Sequence, residues 1–470
     1  MKMTVKRVEQ HLIDEKHELF EIIDEYSFLS KNLYNYANYH IRQVFIITSK
    51  LNRGEAINKE QQEFLDNINA KVDEYNKYKE ANFKKAQLAG KKAEKVFKPL
   101  DYFHANHKYI GYEFLEYIVS EGSDYKSIMA QSAQQTLKLL DKNWVSFFGS
   151  IKDYKINPDK YTGMPKLPKY KHKTKGRANI IFTNQNCKLA DGMIQFPNCF
   201  KQYKLKTKVT EQLQQVRIKP LGSQYLIEIV YKKEISVSAN ESKNIVGLDL
   251  GLNNLVTMAN NIGLKPIVIN GRVIKSINQY YNKRIAGYKS ILKKENGKDW
   301  SRKLSVITNN RNNRIKDLMH KTSSFIIKYC VNNNIDTIVV GNNKNWKQEI
   351  NLGSVNNQNF VQIPYSMLIE QLQYKAEDNG LKCIVTEESY TSKASFLDFD
   401  FMPVYDSKAD ETVREFSGKR IHRGLYKSKN GTLINADVNG SLNIIRKVFP
   451  NGVFDGIEGV GLHPVRLNVV

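Results

Sequence analysis

The chain is poor in the residues that staple or anchor a fold. Its 470 residues include only four cysteines, Cys187, Cys199, Cys330 and Cys383, and no two of them form a CxxC pair. A cysteine zinc site and a disulfide framework are therefore not expected, and buried reduced thiols are. There is no run of eighteen apolar residues, so no membrane-spanning helix is expected. The opening MKMTVKRVEQHLID is charged throughout and lacks the apolar stretch of an export signal. That makes a cytoplasmic protein the expectation. Acid is scarce as well. The 48 Asp+Glu against 72 Lys+Arg leave a net charge of +24. A surface that basic favours a polyanion as partner. A membrane surface is not the expected polyanion, because no long basic amphipathic helix carries an aromatic apolar face.

The chain changes character along its length. HELFEIIDEYSFLSKNLYNYANYHIRQVFI repeats apolar residues every three to four positions and predicts a helix packed by its aromatics, with Tyr34, Tyr36, Tyr39 and Arg42 along it. QSAQQTLKLLDKNWVSFF predicts another. The lysine-rich stretch between them reads as a solvated helix or an insertion. From Lys160 to Ala190 there is no acidic residue, and Pro165 and Pro168 favour an extended path. Lys166, Lys169, Lys171, Lys173, Lys175 and Arg177, with Tyr170 and His172 between them, fit a strap along nucleic acid as well as they fit a flexible basic linker. VRIKPLGSQYLIEIVYKKEI then predicts antiparallel strands turning at Gly222-Ser223. From Asn244 strands alternate with helices, which predicts an α/β layer with a mixed sheet.

Two carboxylates sit in unusual places in that layer. Asp249 interrupts the apolar strand of NIVGLDLGLNNLVTMAN, where an isolated charge is costly. Asp437 in INADVNGSLNIIRK lies where a loop enters a helix, with Asn439, Gly440 and Asn443 nearby. Either alone is what a helix cap or strand end would show. Together they suit divalent-metal phosphoryl chemistry, which needs hard oxygen ligands on neighbouring elements.

In their order, G-L-D-L-G-x-x-N-L and A-D-x-N-G-S-x-N-I resemble the first and third RuvC motifs of the TnpB family, relatives of the type V CRISPR effectors. SKNLYNYANYHIRQ, PKLPKYK, NFVQIPYSMLIEQLQYKAEDNGL, the YTSK of Tyr390 to Lys393, and EGVGLHPVR extend the resemblance over the whole chain. It implies an α+β multidomain protein: an RNase H-like (RuvC) domain with a mixed sheet at 241–394 and 434–470, a split wedge β-barrel at 1–8 and 160–240, a helical recognition lobe at 9–159, and a target-nucleic-acid-binding insertion at 395–433. The implied activity is RNA-guided DNA cleavage, with an omega-type guide RNA and double-stranded DNA as partners. Mg²⁺, with Mn²⁺ as the alternative, is the implied cofactor.

The sequence departs from the family twice. The second RuvC motif is usually an apolar strand ending in Glu, but here DTIVVGNNKNW carries Gly341 and Asn342 at that end. The next strand ends in Glu387 and Glu388, and Glu388 stands three before Thr391, a spacing similar to that of the Fanzor relatives. Such a strand is expected beside the first, and since successive side chains alternate in direction only one of the two should enter the site. Glu388 is the expected third ligand beside Asp249 and Asp437. Second, TSKASFLDFD has Ala394 where many relatives have Cys, so the insertion is expected to hold together without zinc. Its basic end contributes Lys419, Arg420, His422, Arg423 and Lys427 as candidate nucleic-acid contacts. The alternative reading is a cleavage-deficient RNA-guided DNA-binding protein, motivated by the absent Glu. An actin-like or sugar-kinase ATPase is disfavoured, because no second phosphate hairpin accompanies D-x-G. A generic RNase H-type transposase or resolvase leaves the helical lobe and basic strap unexplained.

Overall fold

The computed structural model describes residues 2–89, 96–200, 203–236, 242–342, 363–403, 415–422, 424–454 and 463–469. The chain divides into two compact units, Lys6–Lys233, and Glu234–Val470 with Met1–Val5. As the sequence implies, the fold is α+β. No described helix is long and apolar enough to cross a membrane.

Along the chain, the first unit holds most of β1 (Lys2–Ile13), then α1 (Phe20–Asn52), α2 (Lys59–Leu88), α3 (Tyr112–Val119), α4 (Ser123–Lys126) and α5 (Ala130–Ile156). β2 (Ile180–Thr183), β3 (Lys188–Ala190), β4 (Met193–Gln195), β5 (Lys204–Lys206), β6 (Gln212–Leu221) and β7 (Gln224–Ser236) follow. The strands pair in the orders β1-β7-β6-β2 and β3-β4-β5. β6 and β7 join through the predicted Gly222-Ser223 turn, with Leu221 opposite Gln224 and Gly222 at a left-handed φ of 62°. Burial raises the thiols of Cys187, in this unit, and Cys330, in the other, to about 12, and all four cysteines are free. Such thiols are inert packing groups.

The second unit holds β8 (Ile245–Leu250), β9 (Asn254–Asn260), β10 (Ile267–Asn270), α6 (Arg272–Asn296), α7 (Arg302–Asn332), β11 (Thr337–Gly341), α8 (Tyr365–Asp378) and β12 (Lys382–Thr386). β13 (Lys419–His422), β14 (Leu425–Lys427), β15 (Leu433–Asn435), α9 (Ala436–Val448) and β16 (Val465–Leu467) complete it. The central sheet has the order β12-β11-β8-β9-β10-β16. β8, β9 and β10 run antiparallel in sequence, while β11 is parallel to β8 and β12 parallel to β11. One point differs from expectation. β12 lies beside β11, not beside β8, so one strand separates Glu388 from Asp249.

Strand alternation assigns the two faces of this sheet. Val246, Leu248, Ile338 and Val340 pack with Met319, Ile326, Leu368 and Leu372 of α7 and α8. Ile245 and Val339 face the other way and pack with Leu442, Ile444 and Ile445 of α9. Asp249 has the parity of Ile245 and Gly247, so the sheet directs it toward α9. That helix approaches unusually closely. A Cβ added to Gly247 would lie 2.1 Å from the Ser441 carbonyl oxygen and 2.9 Å from Ile445 Cγ1. Ser441 Oγ donates to Gly247 O at 2.7 Å and accepts from Ala259 N at 3.0 Å, tying the helix to two strands. Because the obstruction is backbone, Gly247→Ala should destabilise the protein by roughly 1–3 kcal/mol, the usual penalty for overpacking. Thermal denaturation would show this, and an unchanged Tm would disprove the close contact.

Candidate carboxylate site and basic strap

Three elements bring the predicted carboxylates to one end of the sheet. Asp249 stands near the end of β8, and Asp437 occupies the first turn of α9. That turn is capped by Asn435, whose side chain accepts from Asp437 N at 3.0 Å and Val438 N at 3.2 Å. A carboxylate there also meets the positive end of the helix dipole. α9 crosses β8 so closely that a Cβ on Gly440 would sit 3.0 Å from Asp249 Oδ2.

Glu388 arrives from beyond β12, and the two neighbouring glutamates part company there. Glu387 pairs with Lys447, whose side chain is only 5% exposed, and accepts from Ser389 N at 2.9 Å. Glu388 instead turns toward β11, so that its Oε2 lies 2.7 Å from where a Gly341 Cβ would be. The loop carrying it is firmly held. Thr391 Oγ1 donates to Glu388 O at 2.9 Å, and Asn443 Nδ2 donates to the carbonyls of Thr391 at 3.0 Å and Ala394 at 2.8 Å. Asn439 Nδ2 donates to the same Ala394 carbonyl at 2.8 Å. Tyr390, the first residue of the YTSK turn, takes a left-handed φ of 66°, a conformation that non-glycine residues hold only when their surroundings enforce it.

The electrostatics reflect the crowding. Burial first, then the charges of Glu388 and Asp437, push the Asp249 carboxyl up to about 8, against the opposing pull of Arg420. Burial raises Glu388 to about 7. Burial, reinforced by Asp249 and Glu388, also raises Tyr365, whose hydroxyl donates to Gly251 O at 2.8 Å. Asp437 is partly neutralised by protein. Its Oδ2 accepts from Asn254 Nδ2 at 2.6 Å and its Oδ1 from Arg420 at 3.2 Å. Asp249, Asn254, Arg272, Arg420, Asp437 and Arg466 line one cleft. Asn254 and Tyr365 are site residues that the sequence reading passed over, although both lie inside motifs it quoted.

A divalent cation is tested by the donors present. The Asp249 carboxyl, raised by burial and by the charges of Glu388 and Asp437, is what a hard cation would relieve, so the chemistry of the set fits Mg²⁺. As the side chains stand, no three such groups among the described residues are gathered tightly enough to hold one ion.

The insertion at 395–433 is fastened by apolar packing and a carboxylate network. Phe396 and Tyr426 join the cluster under α9. Asp398 accepts from Ser395 Oγ at 2.6 Å and Lys429 N at 2.8 Å, and Asp400 from Ser395 N at 2.7 Å and Ser417 Oγ at 2.6 Å. Arg423 and the segments NFVQ and EGVGL of the quoted motifs lie outside the described residues.

The basic strap is a docked segment. Ser27, Lys31, Asn35, Asn38 and Arg42 recur about once per turn along α1, and each bonds its backbone. Lys31 Nζ donates to Lys173 O at 2.6 Å, Asn35 exchanges two bonds of 2.9 Å with Lys171, and Asn38 and Arg42 donate to Pro168 O at 3.2 and 2.8 Å. Ser27 exchanges bonds with Ala178 at 2.5 and 3.0 Å. This arrangement leaves Lys166, Lys169 and Lys173 exposed on a fixed track. Lys171 is less available, half-buried with its ammonium over the Tyr34 ring, and burial lowers its pKa. Arg177 is engaged internally, bidentate on Asp24 at 2.8 and 2.6 Å. Tyr34 is buried as expected, but Tyr36 and Tyr39 stay 39% and 42% exposed, so the aromatics of α1 do not all serve the core.

Comparisons place these regions among known proteins. Residues 228–347 match the OrfB_IS605 family, described as a probable transposase, and residues 365–444 match the Cas12f1-like TNB domain family. The TnpB-like protein ORF457 of Acidianus two-tailed virus is 25% identical over 225 residues, which are 46% of this chain and 44% of that protein. The match thus spans less than half of the curated relative's length. Among solved structures, the Cas12f1–sgRNA–target DNA complex aligns over 94% of this chain and 98% of its own at 14% identity, with a TM-score of 0.31. C2c1 of Alicyclobacillus acidoterrestris in complex with single-guide RNA aligns over 89% and 70% at 7% identity, with a TM-score of 0.35.

Proposed function

We propose, from the match of residues 228–347 and 365–444 to the OrfB_IS605 and Cas12f1-like TNB families and the likeness to a TnpB-like protein, that the chain is an RNA-guided DNA endonuclease of the TnpB type whose cutting site is the carboxylate cleft. The observation that carries this reading is the convergence of Glu388 and Asp249 across the bare end of β11, with Asp437 on the same cleft. Asp249, Glu388 and Asp437 would hold Mg²⁺, or Mn²⁺ in its place. When bound, the ion would supply an activated water and charge stabilisation at the leaving 3′ oxygen. The protein's own share is placement. β8 and α9 fix two carboxylates, and the Thr391–Asn443 contacts fix the loop bearing the third. Asn254 orients Asp437, while Tyr365 braces the Gly251 turn.

The partners follow from charge and geometry. An omega-type guide RNA would pair with one strand of double-stranded DNA, so that base pairing reads sequence and the protein reads backbone shape and a short flanking motif. Lys166, Lys169 and Lys173 would follow a phosphate backbone from the docked strap, and Arg420 would act at the cleft itself. Within this reading the wedge module comprises 1–8 and 160–240, the recognition lobe 9–159, the nuclease domain 241–394 and 434–470, and the target-binding insertion 395–433.

A second reading, guided DNA binding without cleavage, is favoured by Gly341 at the strand end where the family usually places Glu. One experiment separates the two. RNA that co-purifies with the protein is sequenced, and a plasmid matched to its guide portion is incubated with the complex and Mg²⁺. Linearised plasmid is expected. Intact plasmid despite site-specific binding would establish the second reading, and binding unaffected by RNase would remove guidance by RNA from both.

A further inference from the structure

The sheet order raises a geometric problem. Val340 of β11 pairs with Leu248 of β8, so Gly341 and Asp249 are the next residues on their strands, at the end where the carboxylates gather. On the other side, Gly341 pairs with Thr386, two residues before Glu388. To come near Asp249, Glu388 must pass over the end of β11. A Cβ on residue 341 would lie 2.7 Å from Glu388 Oε2, and 2.6 Å and 3.2 Å from Ile444 Cδ1 and Cγ1 of α9. Real Cβ contacts do not come that close, so the carboxylate stands in the volume that a side chain at 341 would claim.

Gly341 shares the parity of Val339, which packs toward α9, and that is also the face to which Asp249 is directed. A carboxylate borne by residue 341 would therefore issue from the same strand end, toward the same face and next to Asp249. β11 already offers the right place for a third ligand, and Glu388 fills it from one strand further out.

The geometry points to Gly341 as a positioning residue. By lacking a side chain it leaves the seat that the Glu388 carboxylate takes, so residues 341 and 388 are alternative and mutually exclusive donors to one site. This rests on the nuclease reading above and adds to it a residue that touches neither metal nor DNA. It explains why the loss of a carboxylate from β11 and its gain after β12 belong together. A carboxylate after β12 is of little use while a side chain still projects from the end of β11.

The obstructing atoms are the far ends of two side chains, so Gly341→Ala should fold. It should nonetheless displace the carboxylate, and a misplacement of ~1 Å at a reacting centre costs about 100-fold. The test uses the full-length protein with its guide RNA and follows Mn²⁺ affinity, by the paramagnetic resonance of free Mn²⁺, alongside cleavage of a matched plasmid. Guide-RNA binding reports that each variant is folded. Gly341→Ala should weaken Mn²⁺ binding and cleavage by about 10–100-fold, the range seen when a ligand's support is lost. Gly341→Ala combined with Ile444→Val, which removes the Ile444 Cδ1 contact, should stay impaired. Gly341→Glu combined with Glu388→Ala should bind Mn²⁺ and cleave at least ~10-fold better than Glu388→Ala alone, within the range a ligand's support is worth. Wild-type behaviour of Gly341→Ala would overturn the proposal. So would full recovery on adding Ile444→Val, or failure of the added Gly341→Glu exchange to improve on Glu388→Ala. Failure of the nuclease reading has a different signature, because the wild-type complex itself would then leave the plasmid intact and bind Mn²⁺ no more tightly than Glu388→Gln does, whatever Gly341→Ala does.

Discussion

Glu388→Gln should lower guided plasmid cleavage by more than ~100-fold, beyond the loss expected from a merely supporting contact, while Glu387→Gln cuts normally. The two residues are adjacent and chemically identical, so the contrast isolates position. Glu388 is turned to the end of β11, where its charge contributes to raising Asp249. Glu387 is turned to Lys447, an almost fully covered ammonium that also donates to Pro403 O at 3.3 Å. Removing its partner should cost stability. The expected loss for Glu387→Gln is roughly 1–3 kcal/mol, because the amide still accepts a hydrogen bond and Lys447, already lowered to about 8 by burial, can shed its proton. The paired measurements are initial cleavage rate and Tm. Glu388→Gln should move the first and spare guide-RNA binding, and Glu387→Gln should move the second. The reverse pattern would show that the wrong glutamate has been placed in the site.

Asp249 stood out in the sequence because a carboxylate inside an apolar strand is conspicuous, and Asp437 because it opens a helix within A-D-x-N-G-S-x-N-I. The mixed sheet was legible because alternating strand and helix patterns are local. Strand order was not, since β11 and β12 are each reached by long crossovers whose path no short pattern encodes. Glu388 was therefore placed beside Asp249 on a mistaken adjacency, and the part played by Gly341 stayed hidden. Asn254 and Tyr365 escaped for a related reason: an amide or a phenol gives no sign of its partner until the chain brings one. The polar residues Ser27, Lys31, Asn35, Asn38 and Arg42 carry a helical period in plain view. Polar residues at that spacing ordinarily mark a wet face, and only the folded chain shows a second segment lying along them.

In metal-free protein at pH 8, Asp249→Asn should raise the Tm by roughly 2–12 °C, at ~2–4 °C per kcal/mol for a unit of this size. The carboxyl of Asp249 ordinarily titrates at 3.8 and is pushed to about 8 in the fold. Between those values the folded state holds a proton that the unfolded chain has released, so stability falls as pH rises through the window. Glu388, raised from 4.5 to about 7, acts in the same direction. A shift of 8 − 3.8, about 4 units, would correspond to at most ~6 kcal/mol. Asp249 retains some solvent exposure, which reduces the expected effect to roughly 1–3 kcal/mol. Asparagine keeps the shape and removes the charge, so the variant should show a flatter Tm between pH 5 and 8 and exceed the wild type most at the alkaline end. Adding Mg²⁺ at pH 8 should then narrow the gap between the two proteins. The cation offsets the same repulsion in the wild type and raises its Tm, whereas the variant has less to gain. A Tm for Asp249→Asn below that of the wild type at pH 8 without metal would mean that Asp249 is held by protein contacts as a structural ion, and the case for a cation at this cleft would fall with it.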